Sequence, residues 1–402
     1  MADVTFLADG GMDFAVRCVL SGAPYATAEP GEILAVLDRV DDGDPRSWRD
    51  AWVARGRALV AGARADADAG RTRSAWGAAL RAANYLFAGN YYAPACTDVA
   101  GARAVWAEHR AAWDLAVRCW PTPATPLTLP TPAGDLPGYW FAGAAPEQER
   151  RPVVVLVGGI ETPLSDAPMT GLTDALARGY RVLLLDGPGQ GAALYEGGIR
   201  LAPRWDAVWP AVLDAVAGRT GVDPGRVCLM GINHGGLWAA QGAAIAPERV
   251  AALVLDPAVT GLLGDTLAGL PGDLAALWRD DPAALDAAVA TRAGDDHDLA
   301  FWAAKTVDPF PGGGVRAALD GLDAALLTDG DLAAIACPTL VCVAEQATAF
   351  VGQHEPVLAA LGPLAARIDF TTAEGAGLDC EIGAPQVRNA RVYDHLDARL
   401  AP

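Results

Sequence analysis

Apolar residues recur at helical spacing through the first 120 residues of the chain. The clearest stripe follows Ser47 and ends before Gly70, a residue suited to the left-handed cap that closes a helix. Its members are Trp48, Trp52, Ala58, Leu59 and Ala63. A second stripe lies within residues 72–92 and a third helix is expected over residues 102–119. The pattern predicts a helical N-terminal domain over residues 1–122.

The pattern changes after a proline-rich stretch at residues 120–138, which cannot continue a helix. Short β-branched or leucine-rich runs then alternate with helical segments, as is typical of a parallel sheet covered on both faces. The predicted strands are 152–157, 181–186, 226–230, 250–255, 339–343 and 367–370. The strand pattern lapses over residues 257–330, which predicts a helical lid inserted into an α/β core domain spanning residues 123–402.

Composition and charge limit the classes of binding partner and the location to be expected. The chain has 402 residues, is 52% hydrophobic and carries a formal net charge of −19, which disfavours nucleic acid and anionic membranes. It lacks a basic and apolar leader pattern, its apolar runs are too short to span a bilayer, and its seven cysteines are widely spaced. We expect a cytoplasmic protein with free thiols. Lys305 is the only lysine among 30 basic residues, a bias suggesting a GC-rich bacterial genome such as that of an actinobacterium.

A turn rich in small residues joins a predicted strand to a helix at Gly231-Ile-Asn-His-Gly-Gly236. This arrangement is typical of a nucleophile elbow, in which the central residue, here Asn233, points its side chain into the site. The amide of His234 and the loop containing Ile160 and Glu161 would then form an oxyanion hole. The alternative is a tight strand-to-helix turn without a chemical role.

Five motifs occur in a fixed order along the chain. They are LPGYW at 136–140, GGIETP at 158–163, DGPGQG at 186–191, the elbow, and EGAGLDCEIGAP at 374–385. Their order and spacing resemble a branch of the α/β-hydrolase superfamily that contains 2,6-dihydroxypseudooxynicotine hydrolase and the fermentation-respiration-switch type esterases, and the N-terminal helices are similar to it as well. The resemblance implies an α/β-hydrolase fold, with a mostly parallel sheet, an N-terminal helical domain and an inserted lid.

The chain departs from that family at all three catalytic positions. Asn233 replaces the serine nucleophile, Asp379 replaces the histidine base, and Ala347 occupies the position of the acid. An amide has no proton that a base can usefully remove, so an acyl-enzyme is not expected. The oxyanion hole of Ile160, Glu161 and His234 would remain. The candidate catalytic residues are Asn233, His234, Asp379 and Glu161, although His234 and Asp379 can also be read as structural.

Five further residues are candidates for contacting a substrate. Four are aromatic and could line a flat pocket, although helical spacing also allows core packing for them. The fifth is an aspartate at a strand end, where it can equally cap the strand. These candidates are Tyr85, Tyr91, Trp238, Trp302 and Asp256.

The altered site leaves two classes of function. The first is an enzyme of antibiotic or other secondary metabolism that promotes intramolecular C–C bond formation on a polycyclic or polyketide-like molecule, by analogy with triad-altered cyclases of anthraquinone-fused enediyne biosynthesis. The second is an inactive ligand-binding protein, and a hydrolase with a non-standard triad is a third option. No ligand cluster or nucleotide motif predicts a metal or cofactor. A homodimer is compatible with the sequence.

Overall fold

The computed structural model describes residues 4–97 and 99–400. Two compact units divide the chain. The first contains the described residues up to Thr125 together with Ser165–Thr173 and Ile382–Gln386. The second contains Pro126–Leu164, Asp174–Glu381 and the described residues from Val387 onward.

The first unit is built mainly from helices, as the apolar stripes predict. Trp48 and Trp52 lie fully buried on one face of the longest helix, and their rings pack 5.5 Å apart. That helix ends at Asp68, and Gly70 follows with a φ of +74°, the left-handed conformation expected there. The helices are α1 (Gly10–Ser21), α2 (Pro30–Leu37), α3 (Pro45–Asp68), α4 (Thr72–Tyr91), α5 (Ala93–Cys96) and α6 (Val99–Arg118).

An eight-stranded sheet organises the second unit, in the order β1-β2-β4-β3-β5-β6-β7-β8. β2 pairs antiparallel with β4, and the strands from β4 to β8 are parallel. The strands are β1 (Ala124–Thr131), β2 (Gly134–Phe141), β3 (Arg151–Val157), β4 (Arg181–Leu185), β5 (Val222–Ile232), β6 (Ala252–Asp256), β7 (Thr339–Ala344) and β8 (Ala365–Phe370). β3, β4, β6 and the second half of β5, residues 227–232, are almost wholly buried, which explains their apolar runs.

The proline-rich stretch differs from the sequence interpretation. It marks the end of the helical region, but it also contains β1 and most of β2, which were not predicted. Pro126 and Pro130 lie in β1, the outermost strand on this side of the sheet. A proline lacks the N–H that an interior ladder requires and is tolerated at a sheet edge. The prolines therefore concealed two strands without preventing them.

Helices cover the sheet and form the lid. The lid follows β6 and returns at β7, as the lapse in strand pattern predicts, and it comprises α11 (Leu263–Ala268), α12 (Gly272–Asp280), α13 (Pro282–Ala293), α14 (His297–Val307), α15 (Val315–Ala324) and α16 (Asp329–Ala334). The remaining helices are α7 (Thr173–Ala177), α8 (Gly191–Tyr195), α9 (Val208–Ala217), α10 (Gly235–Ile245), α17 (His354–Leu361) and α18 (Pro385–Leu400).

Candidate active site

The turn between β5 and α10 has the geometry of a nucleophile elbow. Asn233 adopts a φ of +56°, a left-handed conformation that is strained for a residue with a side chain. Its backbone N–H donates to the backbone carbonyl of Asp256 at 2.8 Å. A Cβ on Gly235 would lie 2.1 Å from the Val157 carbonyl oxygen, so only glycine fits there. The local sequence thus fixes Asn233 at the tip of a sharp turn above β3 and β5.

The side chain of Asn233 folds back onto the next residue. Its Oδ1 accepts a hydrogen bond from the backbone N–H of His234 at 2.7 Å. The facing atom must be the oxygen, because a backbone N–H can only donate. The amide expected to stabilise an oxyanion is therefore already engaged. The Nδ2 group, with two N–H donors, lies on the opposite side of the same planar amide, on a residue that is partly exposed.

The loop after β3 is held against the elbow by a buried glutamine. Gln190 is 3% exposed; its Nε2 donates to the carbonyls of Gly158 and Gly159 at 2.7 and 3.3 Å, and its Oε1 accepts from the N–H of Gly187 at 2.8 Å. Ile160, next along the loop, is half-buried against the apolar core. The DGPGQG motif therefore supports the loop rather than contributing a reactive group.

The imidazole of His234 packs between this loop and the segment after β7. A Cβ on Gly159 would lie 2.8 Å from His234 Nδ1, and the Phe350 ring meets the imidazole edge-on at a centroid distance of 5.3 Å. Nδ1 is buried and has no hydrogen-bond partner among the described residues. Burial lowers the pKa of His234, against the opposing pull of Glu161 and Asp265. The ring is therefore neutral at pH 7 and able to accept a proton.

Glu161 forms an ion pair with a residue of the lid. Its Oε1 lies 2.8 Å from Nζ of Lys305 on α14. Desolvation by the surrounding residues opposes ionisation of this partly exposed carboxylate, but Lys305, aided by His234, lowers the pKa of Glu161 below its usual value. Glu161 is therefore a carboxylate at neutral pH. The pair ties the loop after β3 to the lid.

Asp379 is engaged by the segment that follows β7. Its carboxylate accepts from the N–H of Thr348 at 3.1 Å, the N–H of Ala349 at 3.2 Å and the hydroxyl of Thr348 at 2.8 Å. Ala347 immediately precedes these donors. The segment after β7 and the C-terminal loop are thus joined through the carboxylate of Asp379 and the hydroxyl of Thr348.

Asp256 lies in a buried charged cluster beneath the elbow. Its carboxylate is 2% exposed and lies 2.6 Å from Nε of Arg388, whose Nε is also 3.7 Å from Glu381. Burial, together with repulsion from Asp256, raises the pKa of Glu381 well above its usual value. The Asp256 carbonyl accepts from Asn233 N–H and also from the thiol of Cys380 at 3.5 Å. Asp256 therefore joins the elbow to the C-terminal loop, and its carboxylate faces Arg388 instead of solvent.

The aromatic candidates are mostly packing residues. Trp238 is fully buried and stacks on Trp205 at 4.9 Å, while Trp302 is half-buried against the core cluster of the second unit. Tyr85 and Tyr91 belong to the first unit: Tyr85 is fully buried with its hydroxyl accepting from the N–H of Glu29, and Tyr91 is half-buried. Among these four, Trp302 and Tyr91 retain surface that a ligand could contact.

Four positioning residues were missed by the sequence interpretation: Gln190, Lys305, Thr348 and Phe350. Gln190 belongs to the DGPGQG motif, to which the sequence assigns no separate role, and Lys305 is distinguished in the sequence only as the single lysine. A single lysine in an arginine-rich chain was a usable signal. Thr348 and Phe350 carried none, because their contacts with Asp379 and His234 depend on the path of the loop. No cluster of three or more potential metal ligands occurs in residues 4–97 and 99–400, and no described helix is long and apolar enough to cross a membrane.

Sequence comparison places the chain among fungal hydrolases. It is 30% identical to Hydrolase LUC6 from a Fusarium species over 94% of both chains, and 28% identical to 20-hydroxy-prefusarin hydrolase FUS2 of Gibberella moniliformis over 95% of both chains. A match with Hydrolase acrC of Aspergillus aculeatus reaches 33% identity but spans only 63% of each chain. No family model matches the chain.

Solved structures with the same fold cover nearly the whole chain. 2,6-Dihydroxy-pseudo-oxynicotine hydrolase superposes with a TM-score of 0.74 at 18% identity, covering 95% of this chain and 96% of that one. Wild-type AbyA5 superposes with a TM-score of 0.63 at 19% identity, covering 97% and 99%. At these identities the likeness concerns the fold. With the full-length match to Hydrolase LUC6, the chain belongs to the α/β-hydrolase superfamily, in the branch of these fungal hydrolases.

Proposed function

We propose that this chain is an enzyme that uses the α/β-hydrolase site without a covalent intermediate. Its reaction is intramolecular C–C bond formation, of the conjugate-addition type, on a polycyclic or polyketide-like intermediate of secondary metabolism. The observation that carries the proposal is the Asn233 amide at the elbow tip, anchored through Oδ1 on the His234 N–H. Asparagine supports the proposal because serine hydrolases of this fold carry their nucleophile at the elbow tip, and an amide is not a nucleophile.

The anchored amide supplies a donor in place of the lost nucleophile. With Oδ1 fixed, the orientation of Nδ2 is fixed as well, so its N–H groups are preorganised for a substrate oxygen. Such a donor stabilises negative charge that develops on a carbonyl oxygen, whether in a tetrahedral adduct or in an enolate. Negative charge develops on an enolate oxygen when a carbon nucleophile adds to an unsaturated ketone.

His234 supplies the base. Its neutral imidazole can take a proton from a carbon, or from a phenol or enol hydroxyl whose conjugated carbon then becomes the nucleophile. The new C–C bond forms as electrons move to the acceptor carbonyl oxygen. The oxygen is held by Asn233 Nδ2 while negative. The imidazolium returns the proton to the enolate carbon, so atoms and charge balance and the product is an isomer of the substrate.

Hydrolysis is the second candidate. The relatives carry the name hydrolase, and one is named for 20-hydroxy-prefusarin, an organic small molecule. A neutral His234 could also remove a proton from water instead of from carbon. This alternative predicts a product that has gained the elements of water, whereas cyclisation conserves mass.

Metabolites of a strain lacking the gene test the proposal against both alternatives. We expect the deletion strain to accumulate a compound equal in mass to the next intermediate of the parent strain, as determined by high-resolution mass spectrometry. Accumulation of a compound lighter by one water than that intermediate would favour hydrolysis. An unchanged metabolite profile would indicate a binding protein without catalytic activity.

A further inference from the structure

The lid contributes one cation to the surroundings of the elbow. Lys305, the only lysine of the chain, places its ammonium 2.8 Å from Glu161 and 4.9 Å from the centre of the Phe301 ring on its own helix. The charged groups that act on His234 are Glu161, Asp265 and Lys305. Among them, Lys305 is the positive one.

The ion pair is asymmetric in its exposure. The Lys305 side chain is 18% exposed, whereas that of Glu161 is 44% exposed. Exposed ion pairs add little stability, because water competes for the carboxylate. The ammonium is the sheltered partner, and the Phe301 ring supports it independently of Glu161. Glu161 can therefore move into water while Lys305 stays in place.

Asp265 does not compete for the ammonium through a free carboxylate. Its Oδ1 accepts from the N–H of Phe350 at 2.9 Å, and its Oδ2 from Gln353 at 3.4 Å. Glu161 is thus the exchangeable counterion. A lysine suits such an exchange because its ammonium is a compact charge with three rotatable donors, unlike the planar fork of arginine that this chain uses elsewhere.

We propose that Lys305 recognises an anionic oxygen of the substrate, which displaces Glu161 as its counterion. The substrate class that follows is an aromatic or polyketide-like molecule bearing a phenolate, enolate or carboxylate. This inference rests on the proposed function and specifies its substrate. The charge of Glu161 raises the pKa of His234 and so favours the imidazolium that forms during proton transfer.

Two substitutions should act in opposite directions. Lys305→Met removes the cation and should weaken the binding of an anion by about 10- to 100-fold, the range of charge-assisted hydrogen bonds. Glu161→Gln removes the competing carboxylate and should strengthen the binding of the same anion. If the pair were only a structural tie between loop and lid, both substitutions would weaken binding alike.

Alizarin and its dimethyl ether are suitable probes, since both are flat anthraquinones and only alizarin ionises. Their affinities are measured by fluorescence quenching at a pH where the 2-hydroxyl of alizarin is ionised. We expect the two substitutions to change the affinity for alizarin in opposite directions and to leave that for the ether unchanged, with Lys305→Arg intermediate. Circular dichroism controls for folding. No binding of alizarin by the unsubstituted chain, or equal losses in both variants, would overturn the inference.

The single lysine permits a direct observation. Reductive methylation with ¹³C-formaldehyde labels Lys305 and the N-terminal amine and preserves the charge of each. Alizarin should shift the dimethyl-lysine resonance, and its ether should not. A resonance unmoved by alizarin would overturn the inference even if the dye binds elsewhere. Neither measurement requires turnover, so a failure here is distinct from a failure of the proposed cyclisation.

Discussion

The Oδ1 atom of Asn233 accepts a hydrogen bond from the backbone N–H of His234 at 2.7 Å. In a serine hydrolase that N–H is the donor kept for the substrate's oxyanion. Here the side chain at the elbow tip occupies it, and the donor offered to a ligand becomes the side-chain amide of the same residue. In the proposed reaction, Asn233 therefore provides no nucleophile and offers its Nδ2 group as a donor to a developing oxyanion.

Asn233→Asp tests this arrangement with an isosteric change. A carboxylate still accepts from the His234 N–H, but it presents a second oxygen where Nδ2 presented donors. We expect kcat to fall by more than the roughly 10²-fold typical of losing one oxyanion donor, because the new charge repels an enolate. In Asn233→Ala, which removes the donor and frees the His234 N–H, kcat should fall by less. The reverse order would show that Asn233 does not face the developing charge.

The pH dependence of kcat/KM reports on His234. Burial lowers the pKa of His234 from 6.5, so the rate should rise with pH through a midpoint below 6.5. The stability contributed by the neutral ring is full above pH 6.5 and is lost as pH falls towards the lowered pKa. His234→Gln keeps the backbone N–H and should abolish the acidic limb, with a loss of about 10² to 10⁴ in rate.

A matched control for that variant is His354→Gln. His354 begins α17, and its ring contacts Arg367 rather than the elbow. The control should retain both the acidic limb and the rate. If the acidic limb of the kcat/KM profile persists in His234→Gln, the base is another residue, and Glu161 is the first to test.

Asp379 should act by positioning rather than by proton transfer. Asp379→Asn turns one accepting oxygen into an NH₂ donor beside the N–H groups of Thr348 and Ala349, at a cost of about 1–3 kcal/mol in stability. Thr348→Val removes only the hydroxyl and should cost less. The two substitutions should be non-additive in thermal unfolding. Loss of the acidic limb of the rate profile in Asp379→Asn would instead identify Asp379 as the base.

Gly159 is the position where the imidazole can be displaced without changing a polar group. An alanine Cβ would lie 2.8 Å from His234 Nδ1 and 3.2 Å from the Cβ of Asn233. We expect Gly159→Ala to lower kcat by about 10- to 100-fold, because small misplacements of reacting groups are costly. Gly264→Ala in α11 meets nothing within 4 Å and should leave the rate unchanged. Equal rates in Gly159→Ala and Gly264→Ala would show that His234 takes no part in the reaction.

Much of the fold followed from apolar patterning, whereas the state of the site did not. Buried strands such as β3 and β4 have continuous apolar runs, and glycines 231, 235 and 236 mark the elbow through close backbone approach. Strands β1 and β2 were missed because prolines at an edge resemble a linker. The motif order also predicts changes at three triad positions, those of Asn233, Asp379 and Ala347.

Contacts between distant segments decided the rest. The engagement of Asp379 by Thr348 joins residues 31 positions apart, and the pairing of Lys305 with Glu161 joins the lid to the loop after β3. Neither contact can be predicted from the local sequence, because each depends on how distant segments pack. The hydrogen bond from the His234 N–H to Asn233 Oδ1 joins neighbouring residues, but it depends on a side-chain torsion that neither periodicity nor motif spacing specifies.

Turnover in ¹⁸O-labelled water tests the central claim most directly. The compound accumulated by the deletion strain is incubated with the purified protein in H₂¹⁸O, and the product is analysed by high-resolution mass spectrometry. The account predicts a product isomeric with its substrate and free of ¹⁸O, formed by the unsubstituted protein and strongly reduced in Asn233→Asp. A product that has gained one labelled water would contradict it and identify the chain as a hydrolase.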